Sequence, residues 1–437
     1  MTDVAASPVA GDERYVALDT LRGVAVLGIL AMNIYAFAMP FPAYGNPLLL
    51  GGSEWYNLGT WFFTHLFFDL KFMAIFSMLF GAGIIVMSDR AEARGSNFRQ
   101  LHFRRQRWLL LFGALHGYLL WTGDILFHYA LTAMLVVGLR GRSPRALIVI
   151  ALLLMPVGLI TLSSAGGILA DMRDEAASVA ALEASGEVLS EEQLGARDRW
   201  EGARASVMPT DDDLAAEIRA YQGSYTEIVR HRAAETFANQ TDGYLAFMLW
   251  RVAGLMLIGM ALMKLGIISG QRNPTFYRRM LIIGYGIGLP LVALGAAMQY
   301  QAAWDAFYVF RIGMTPNYIG SVFVALGHIA AVILIVKSGM LAGLMSRFTA
   351  VGRMAFTNYL MHSLVMTTIF YGYGFGLFGQ VERLTQMGFV VGMLAVQLWY
   401  SPLWLRHYRF GPAEWLWRSL AYRQLQPMRK QSMSGVS

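Results

Sequence analysis

The sequence predicts an all-α fold, a polytopic membrane helix bundle of about ten transmembrane helices with both termini in the cytoplasm. Hydrophobic residues make up 56% of the chain and charged residues only 14%, whereas about 25% of an average soluble domain is charged. Apolar stretches of about 20 residues recur, each long enough to cross a bilayer. Arg and Lys concentrate in every second loop between these stretches, which is typical of cytoplasmic loops.

The apolar stretches divide the chain into two membrane halves. The predicted spans lie near 17–39, 57–87, 104–121, 124–140, 144–164, 242–264, 278–300, 317–337, 351–372 and 384–405. The predicted units are a cytoplasmic N-terminal segment 1–16, a first five-helix half 17–164, a polar insertion 165–241, a second five-helix half 242–405 and a tail 406–437.

The charge pattern sets the predicted orientation. Basic loops follow spans two, four, six and eight, and the tail is also basic, whereas loops 40–56 and 122–123 contain no Arg or Lys. This alternation places the N-terminus inside, in the bacterial inner (cytoplasmic) membrane. It also accounts for the net charge of +7 without a nucleic-acid partner. The chain has no cysteine, which excludes disulfides, thiolate catalysis and Cys-ligated metals.

Two segments differ from the membrane spans in composition. The insertion 165–241 is polar and acidic, and it predicts two or three amphipathic helices on the outer side of the membrane. It forms either a lid over the bundle or a solvated linker. The tail from Tyr408 is rich in Trp, Tyr and Arg, a composition that suits the cytoplasmic lipid interface.

Ionisable residues inside spans are costly and often mark function. In span one, Asp19 and Arg22 are three residues apart and can pair, either as a self-satisfied ion pair or as a contact for an anionic ligand. Asn33 lies in the outer half of the same span, where an interhelical hydrogen bond is the simplest role.

Span two carries three ionisable groups within seven residues. His65 and Asp69 are four residues apart and share one helix face. Lys71 lies on another face and needs a different partner or water. Because these groups are too costly to face lipid, a hydrated internal cavity is expected here.

The short hairpin of spans three and four contains His116, Asp124 and His128. A carboxylate beside a His orients the ring and stabilises its protonated form, which is the basic unit of general-base catalysis. The alternatives are a polar hairpin tip wetted from outside and a metal site, although the spacing does not demand a metal and none is predicted.

Later spans add further polar candidates that suit either a substrate-facing cavity or an ordinary hydrogen-bonded core. They are Arg251, His328, Asn358 and His362. Arg251 is deep enough in its span that an acidic partner is expected.

Several long motifs resemble the YeiB-type bacterial membrane family across nearly the whole chain. They are LDTLRGVAVLGILAMNI at 18–34, KFMAIFSMLFGAG at 71–83, LHGYLLWTGDILFHYAL at 115–131, GRMAFTNYLMHSLVMTTIFYGYGFGLFG at 352–379 and FGPAEWLWRSLAYRQLQPMRK at 410–430. The chain departs from the family pattern at His362, where Gln is expected in most relatives.

That family is similar, more remotely, to transmembrane acyltransferases, including glycan O-acetyltransferases and the lysosomal heparan glucosaminide acetyltransferase. The shared element is the first span, with an Arg-Gly pair near its cytoplasmic end. The glycan-acetylating group carries His eleven residues after that Arg, where this chain has Asn33. The resemblance therefore implies acyl transfer with a base from elsewhere, for which His116 is preferred.

The resulting hypothesis is transfer of an acyl group from cytoplasmic acyl-CoA, such as acetyl-CoA, to a hydroxyl or amine of an extracytoplasmic or lipid-linked acceptor. His116, oriented by Asp124, is the expected base, and Asn33 the expected oxyanion donor. The donor phosphates are expected at the span-one entrance and the following basic loop, at Asp19, Arg22, Arg99, Arg104, Arg105 and Arg107.

The expected substrate-binding residues are His65, Asp69, Lys71, His128, Arg251, His328, Asn358 and His362. The expected partners are membrane lipids and a small-molecule, glycan or lipid acceptor, and a homo-oligomer is compatible with the sequence. The alternative function is a proton-coupled transporter or permease for a small molecule, since inward-facing His, Asp and Lys groups also suit proton-coupled transport.

Overall fold

The computed structural model describes residues 16–430, apart from the side chain of Ser206. These residues form helices joined by turns, and no β-strand occurs among them, so the predicted all-α class is confirmed. The predicted N-terminal segment 1–16 lies outside the described residues except for Val16, and residues 431–437 of the predicted tail also lie outside them.

The first half of the chain contains six helices of eight or more residues. They are α1 Val16–Ala38, α2 Trp55–Phe67, α3 Lys71–Ala93, α4 Phe98–Leu119, α5 Leu126–Val136 and α6 Pro144–Ala184. The insertion adds α7 Glu191–Val207, α8 Asp211–Tyr221 and α9 Tyr225–Gln240.

The second half continues directly from the insertion. A π-helical turn, Tyr244–Met248, leads into α10 Leu249–Lys264. The following helices are α11 Pro274–Gln301, α12 Thr315–Ser338, α13 Ala342–Arg353, α14 Ala355–Phe370, α15 Arg383–His407 and, in the tail, α16 Pro412–Tyr422.

Seven helical segments among the described residues are long and apolar enough to cross a membrane. They are Val16–Ala38, Trp55–Ala93, Pro144–Ala184, Tyr225–Lys264, Pro274–Gln301, Thr315–Ser338 and Arg383–His407. Helices α4, α5 and α14 are shorter or more charged: α4 carries four arginines near its start, and α5 and α14 have 11 and 16 residues. The chain is therefore a multi-pass helical protein.

The predicted second span is broken in its middle. Helix α2 ends at Phe67 and α3 begins at Lys71, and between them Leu70 has a left-handed backbone with φ 62°. The carbonyl groups at the end of α2 lose their helical partners at such a break. Lys71 Nζ donates to the carbonyl of His65, and the His328 ring lies 2.9 Å from the carbonyl of Phe67. These two side chains replace the missing backbone bonds.

The insertion is continuous with the two helices that flank it. Helix α6 runs for 41 residues, well past the predicted span end at 164, and α9 leads into α10. Helices α7 and α8 begin at capping boxes formed by Ser190 and Thr210, which satisfy the free N–H groups of their first turns. The insertion thus contains three helices, α7, α8 and α9, between α6 and α10.

Helix α9 fixes the insertion onto the hairpin of α4 and α5. The buried Arg232 guanidinium donates to the carbonyls of Leu120, at 2.6 Å, and Tyr118, at 3.1 Å. These carbonyls lie at the C-terminal end of α4, where backbone acceptors are free. The insertion therefore packs against the turn between α4 and α5.

Helix α1 packs backbone to backbone against α13. A Cβ atom added at Gly23 would lie 1.9 Å from the carbonyl oxygen of Phe348, and one at Gly352 would lie 1.8 Å from the carbonyl oxygen of Asp19. Only glycine permits this approach. The contact holds the start of α1 beside the junction of α13 and α14.

Candidate active site

The hairpin brings His116 of α4 and Asp124 of the following turn into contact. His116 Nδ1 lies 2.7 Å from Asp124 Oδ2, and the two side chains are 2% and 1% exposed. The other carboxylate oxygen accepts from the backbone N–H of Phe127 at 2.8 Å. Gly113 makes the approach possible, because a Cβ there would lie 2.8 Å from Asp124 Oδ1. The pairing expected from the sequence is confirmed.

The second ring nitrogen of His116 reaches a residue that the sequence did not single out. His116 Nε2 lies 2.8 Å from the hydroxyl oxygen of Ser363, a buried residue of α14. A carboxylate at Nδ1 favours the tautomer with its proton on Nδ1, so that Nε2 accepts the proton of the Ser363 hydroxyl. Asp124, His116 and Ser363 thus form the serial arrangement that activates a serine nucleophile.

Tyr359 lies one helical turn before Ser363 and packs against the imidazole. The ring centroids of Tyr359 and His116 are 5.3 Å apart. The Tyr359 hydroxyl oxygen accepts from the backbone N–H of Ile125 at 3.3 Å. Its own proton therefore remains available to an acceptor beside His116.

A cavity of about 330 Å³, here called the basic cavity, leads toward this group. Ile125 and Tyr359 line it, whereas His116, Asp124 and Ser363 themselves do not. Apolar side chains of α1 and α3, such as Ile29 and Phe76, also line it. Guanidinium groups surround the remaining part: Arg22, Arg90, Arg94, Arg105, Arg353 and Arg418. Since Arg105 and His116 are eleven residues apart on α4, they are separated by roughly 16 Å along the helix.

Two residues that the sequence predicted to bind the phosphates of acyl-CoA, Arg22 and Arg105, are held in place by neighbouring side chains at the arginine-rich mouth of this cavity. Arg22 pairs with Asp19 at 2.9 Å, as predicted, and both residues line the cavity. The Arg105 guanidinium lies 4.1 Å from the ring centre of Trp417, whose indole N–H donates to the Arg105 carbonyl at 2.9 Å. Helix α16 thereby closes one side of the mouth.

Glu414 of α16 holds the start of α14 in place. Its carboxylate accepts from the backbone N–H groups of Phe356 and Thr357, at 2.6 and 3.1 Å, and from the Thr357 hydroxyl at 2.6 Å. Burial raises the pKa of Glu414 above its ordinary value, and the bonds from Thr357 and Phe356 oppose this shift. A carboxylate at a helix N-terminus is stabilising, so Glu414 positions the helix that carries Tyr359 and Ser363.

The other predicted donor arginines lie away from the basic cavity. Arg99 is exposed, with its guanidinium 5.9 Å from the Phe103 ring centre. Arg104 and Arg107 line a second cavity of about 710 Å³ between α4 and α16. Residues three apart share a helix face, which separates these two arginines from Arg105.

The predicted cluster of span two forms a second buried network at the helix break. His65 Nδ1 lies 3.1 Å from Asp69 Oδ2, as the spacing predicted. Asn317 of α12 bridges the charges: it donates to Asp69 at 2.7 Å and accepts from Lys71 at 2.7 Å. Across residues 16–430, no hydrogen bond or ion pair joins this network to His116.

Asn33 and His128 make no side-chain hydrogen bond to His116 or Ser363. Asn33 is half-buried, and its side chain makes no hydrogen bond to any described residue, including His116. The two ring nitrogens of His128 face the carbonyl oxygens of Asp124 and Asn239, at 2.9 and 3.0 Å. His128 therefore joins the hairpin to α9.

Arg251 bonds to backbone and hydroxyl oxygens instead of the acidic partner that we expected, and its buried Nε has no hydrogen-bond partner among the described residues. It donates to the Tyr318 carbonyl at 3.0 Å and to the Ser321 hydroxyl at 2.8 Å, and its guanidinium lies 4.3 Å from the Tyr318 ring centre. Within the described range, it pairs with no carboxylate. Backbone and hydroxyl oxygens of α12 replace the acid.

His328, Asn358 and His362 have structural partners. His328 joins the Phe67 carbonyl at the helix break to the Tyr285 hydroxyl, at 2.9 and 2.7 Å. His362 Nε2 lies 2.8 Å from Gln397 of α15, whose amide donates to the Asn358 carbonyl at 2.9 Å. No group of three or more His, Asp or Glu side chains in residues 16–430 is placed to hold a metal ion.

The fold and these buried groups define a multi-pass helical membrane protein with a Ser-His-Asp arrangement beside a basic cavity. The chain is 33% identical to the YeiB protein of Escherichia coli (strain K12), over 95% of this chain and 98% of the relative. It is 30% identical to the YxaH protein of Bacillus subtilis (strain 168), over 97% and 98%. Residues 262–424 match the family described as "Protein of unknown function (DUF418)". The chain belongs to the YeiB family, as its motifs predicted.

Proposed function

We propose that this protein is a membrane acyltransferase that moves an acyl group from cytoplasmic acyl-CoA to a hydroxyl or amine of an extracytoplasmic or lipid-linked acceptor. One observation carries the proposal: Asp124, His116 and Ser363 are bonded in series, and Tyr359, which packs against His116, lines the basic cavity. The remote resemblance to membrane acyltransferases supports the same class of reaction. The names of the two relatives, YeiB and YxaH, state no activity.

The donor binds with its phosphates at the mouth of the basic cavity. Arginine binds phosphate through paired N–H groups, and Arg22 and Arg105 are held in place by Asp19 and Trp417. The pantetheine arm is thin and largely uncharged, so it suits the apolar middle of the cavity. In this arrangement the thioester reaches Tyr359, whose ring packs against His116.

In the first step, the Ser363 oxygen attacks the thioester carbonyl and His116 Nε2 takes the hydroxyl proton. The tetrahedral intermediate collapses, the C–S bond breaks, and His116 returns the proton to the leaving CoA thiolate. Asp124 stabilises the transient imidazolium. The products are acyl-Ser363 and CoA.

In the second step, the acceptor hydroxyl or amine attacks acyl-Ser363 while His116 takes its proton. Collapse of this intermediate forms the acylated acceptor, and His116 returns the proton to the Ser363 oxygen. Tyr359 is the oxyanion donor in both steps, since its proton is available beside His116, and it takes the role that the sequence suggested for Asn33.

The insertion would serve as a lid during this reaction. Helix α9 covers the hairpin that carries His116 and Asp124, through the bonds of Arg232 to the α4 carbonyls. A covered acyl-serine is protected from water until an acceptor enters. The lid interpretation of 165–241 therefore fits the proposed reaction better than the linker interpretation.

The proposed orientation is that of a ten-span protein of the bacterial inner membrane, with α4, α5 and α14 also inserted and both termini cytoplasmic. Alkaline phosphatase, which is active only outside the cytoplasm, is expected to be active when fused after Ala203 and inactive when fused after Arg429. The alternating basic loops are the reason. The opposite pair of activities would reverse the orientation and place the basic cavity on the wrong side for cytoplasmic CoA.

Binding of the donor tests the proposed function without knowledge of the acceptor. Acetyl-CoA, CoA and desulfo-CoA are expected to raise the melting temperature of the purified protein. In the Arg22→Gln/Arg105→Gln variant, affinity is expected to fall about 10- to 100-fold, because hydrogen bonds to charged groups contribute about 1.5–3 kcal/mol. Isothermal titration in detergent measures the change.

The matched control for donor binding is Arg104→Gln/Arg107→Gln, which removes two arginines of the same helix outside the basic cavity. Its CoA affinity should equal that of the wild type. A wild-type protein that shows no response to any CoA compound would contradict the acyltransferase proposal.

A proton-coupled transporter or permease is the second candidate, favoured by the broken helix of α2 and α3 with its buried Asp69 and Lys71. Discontinuous helices with ionisable side chains form many transport sites. However, Asn317 already satisfies both charges here. Proton-driven uptake by vesicles that bind no CoA would favour this candidate.

A further inference from the structure

The second cavity, here called the lateral groove, lies on the flank of the bundle between α4 and α16. Its volume is about 710 Å³, and Arg104, Arg107 and Arg423 contribute its charge. Two of these arginines come from α4, and the third directly follows α16. The groove thus gathers positive charge from two distant parts of the chain.

The charge of the lateral groove is not neutralised by the protein. No Asp or Glu lines it, and none of the three guanidinium groups forms an ion pair within the described part of the chain. Because three guanidinium groups line the groove and no carboxylate compensates their charge, the groove is suited to an anion.

An apolar surface leads away from the lateral groove along α4. Leu111, Leu115 and Leu119 are spaced four apart, and 45%, 46% and 43% of their surfaces are exposed. Residues at this spacing form a continuous stripe on one helix face. Trp108 and Trp415 line the groove itself, and Trp is the residue that concentrates at the level of lipid headgroups.

We propose that the lateral groove binds one anionic glycerophospholipid. Its phosphate lies between Arg104, Arg107 and Arg423, and its acyl chains lie along the leucine stripe of α4. Basic residues near a membrane surface can set orientation without converging, but here three line one groove that contains no acidic residue. This site is separate from the basic cavity and does not depend on the proposed acyl transfer.

Thermal unfolding of the full-length protein in nanodiscs tests the proposal. Replacing part of the phosphatidylcholine by phosphatidylglycerol is expected to raise the melting temperature of the wild type, and Arg104→Gln/Arg107→Gln is expected to abolish that rise. Arg99→Gln is the matched control, since it removes an exposed arginine of the same helix outside the groove. It should keep the full response.

Three outcomes of the nanodisc measurements would overturn the proposal: an equal response to both lipids, a persistent phosphatidylglycerol response in the double variant, or an equal loss in Arg99→Gln, which would indicate diffuse charge attraction. Soluble glycerol 3-phosphate distinguishes a lipid from a free phosphate, and a full response to it would also overturn the lipid assignment. If the double variant does not fold, Arg423→Gln replaces it, and this variant is expected to reduce the rise in melting temperature caused by phosphatidylglycerol.

Discussion

Replacing Ser363 by alanine is expected to remove acyl transfer while leaving the fold and CoA binding intact. The hydroxyl lost is the one bonded to His116 Nε2, and loss of one member of such a triad lowers turnover by about 10⁴-fold or more. His116→Gln and Asp124→Asn should have effects of similar size, and Tyr359→Phe a smaller one of about 10²-fold, as for one oxyanion donor. Release of CoA measures the reaction, and a thiol reagent reports CoA alone because the protein contains no cysteine.

Two neighbouring positions provide matched controls. Thr367→Ala removes a buried hydroxyl one turn further along α14, which bonds to helix carbonyls and to the Tyr373 side chain but not to His116. His362→Gln removes a buried imidazole bonded to Gln397 and introduces the residue expected in most relatives. Both variants should keep turnover near the wild-type rate. Substantial turnover in Ser363→Ala combined with its loss in His116→Gln would indicate direct attack by the acceptor instead.

Replacing Lys71 by methionine is expected to lower the free energy of unfolding by about 3–5 kcal/mol, since removing one partner of a buried charged network leaves the other uncompensated. Lys71 is fully buried and, through Asn317, is linked to Asp69. It also satisfies a carbonyl at the helix break. Unfolding by denaturant in mixed micelles measures the loss.

A double variant separates the charge effect from packing. Asp69→Asn/Lys71→Met removes both charges and should recover a large part of the lost stability, as a double-mutant cycle would show. Lys264→Met is the control, because Lys264 is exposed at the end of α10 and such changes usually stay within about 0.5 kcal/mol. An equal loss in both lysine variants would contradict the role given to the network.

The sequence was most informative where the chemistry is local. His116 and Asp124 are eight residues apart across a short hairpin, so their contact follows from the turn. The same holds for the i,i+3 pair of Asp19 and Arg22 and the i,i+4 pair of His65 and Asp69. In each case, helix geometry fixes the contact without information about the rest of the fold.

Contacts between distant helices could not be predicted in this way. Ser363 is 247 positions from His116, and a serine in an apolar helix usually bonds to its own backbone. Nor does any Gly or Pro mark the break at Phe68–Leu70, which depends on side chains of α12. Helix periodicity could have separated Arg105 from Arg104 and Arg107, because a helix turns by about 100° per residue.

The most direct test of the proposed mechanism is peptide mass spectrometry after the purified protein is mixed with acetyl-CoA and no acceptor. The mechanism predicts one acetyl group on Ser363, formed together with an equivalent amount of free CoA, and its absence in Ser363→Ala and His116→Gln. Release of CoA without any acetylated serine, or acetylation confined to another residue, would contradict it.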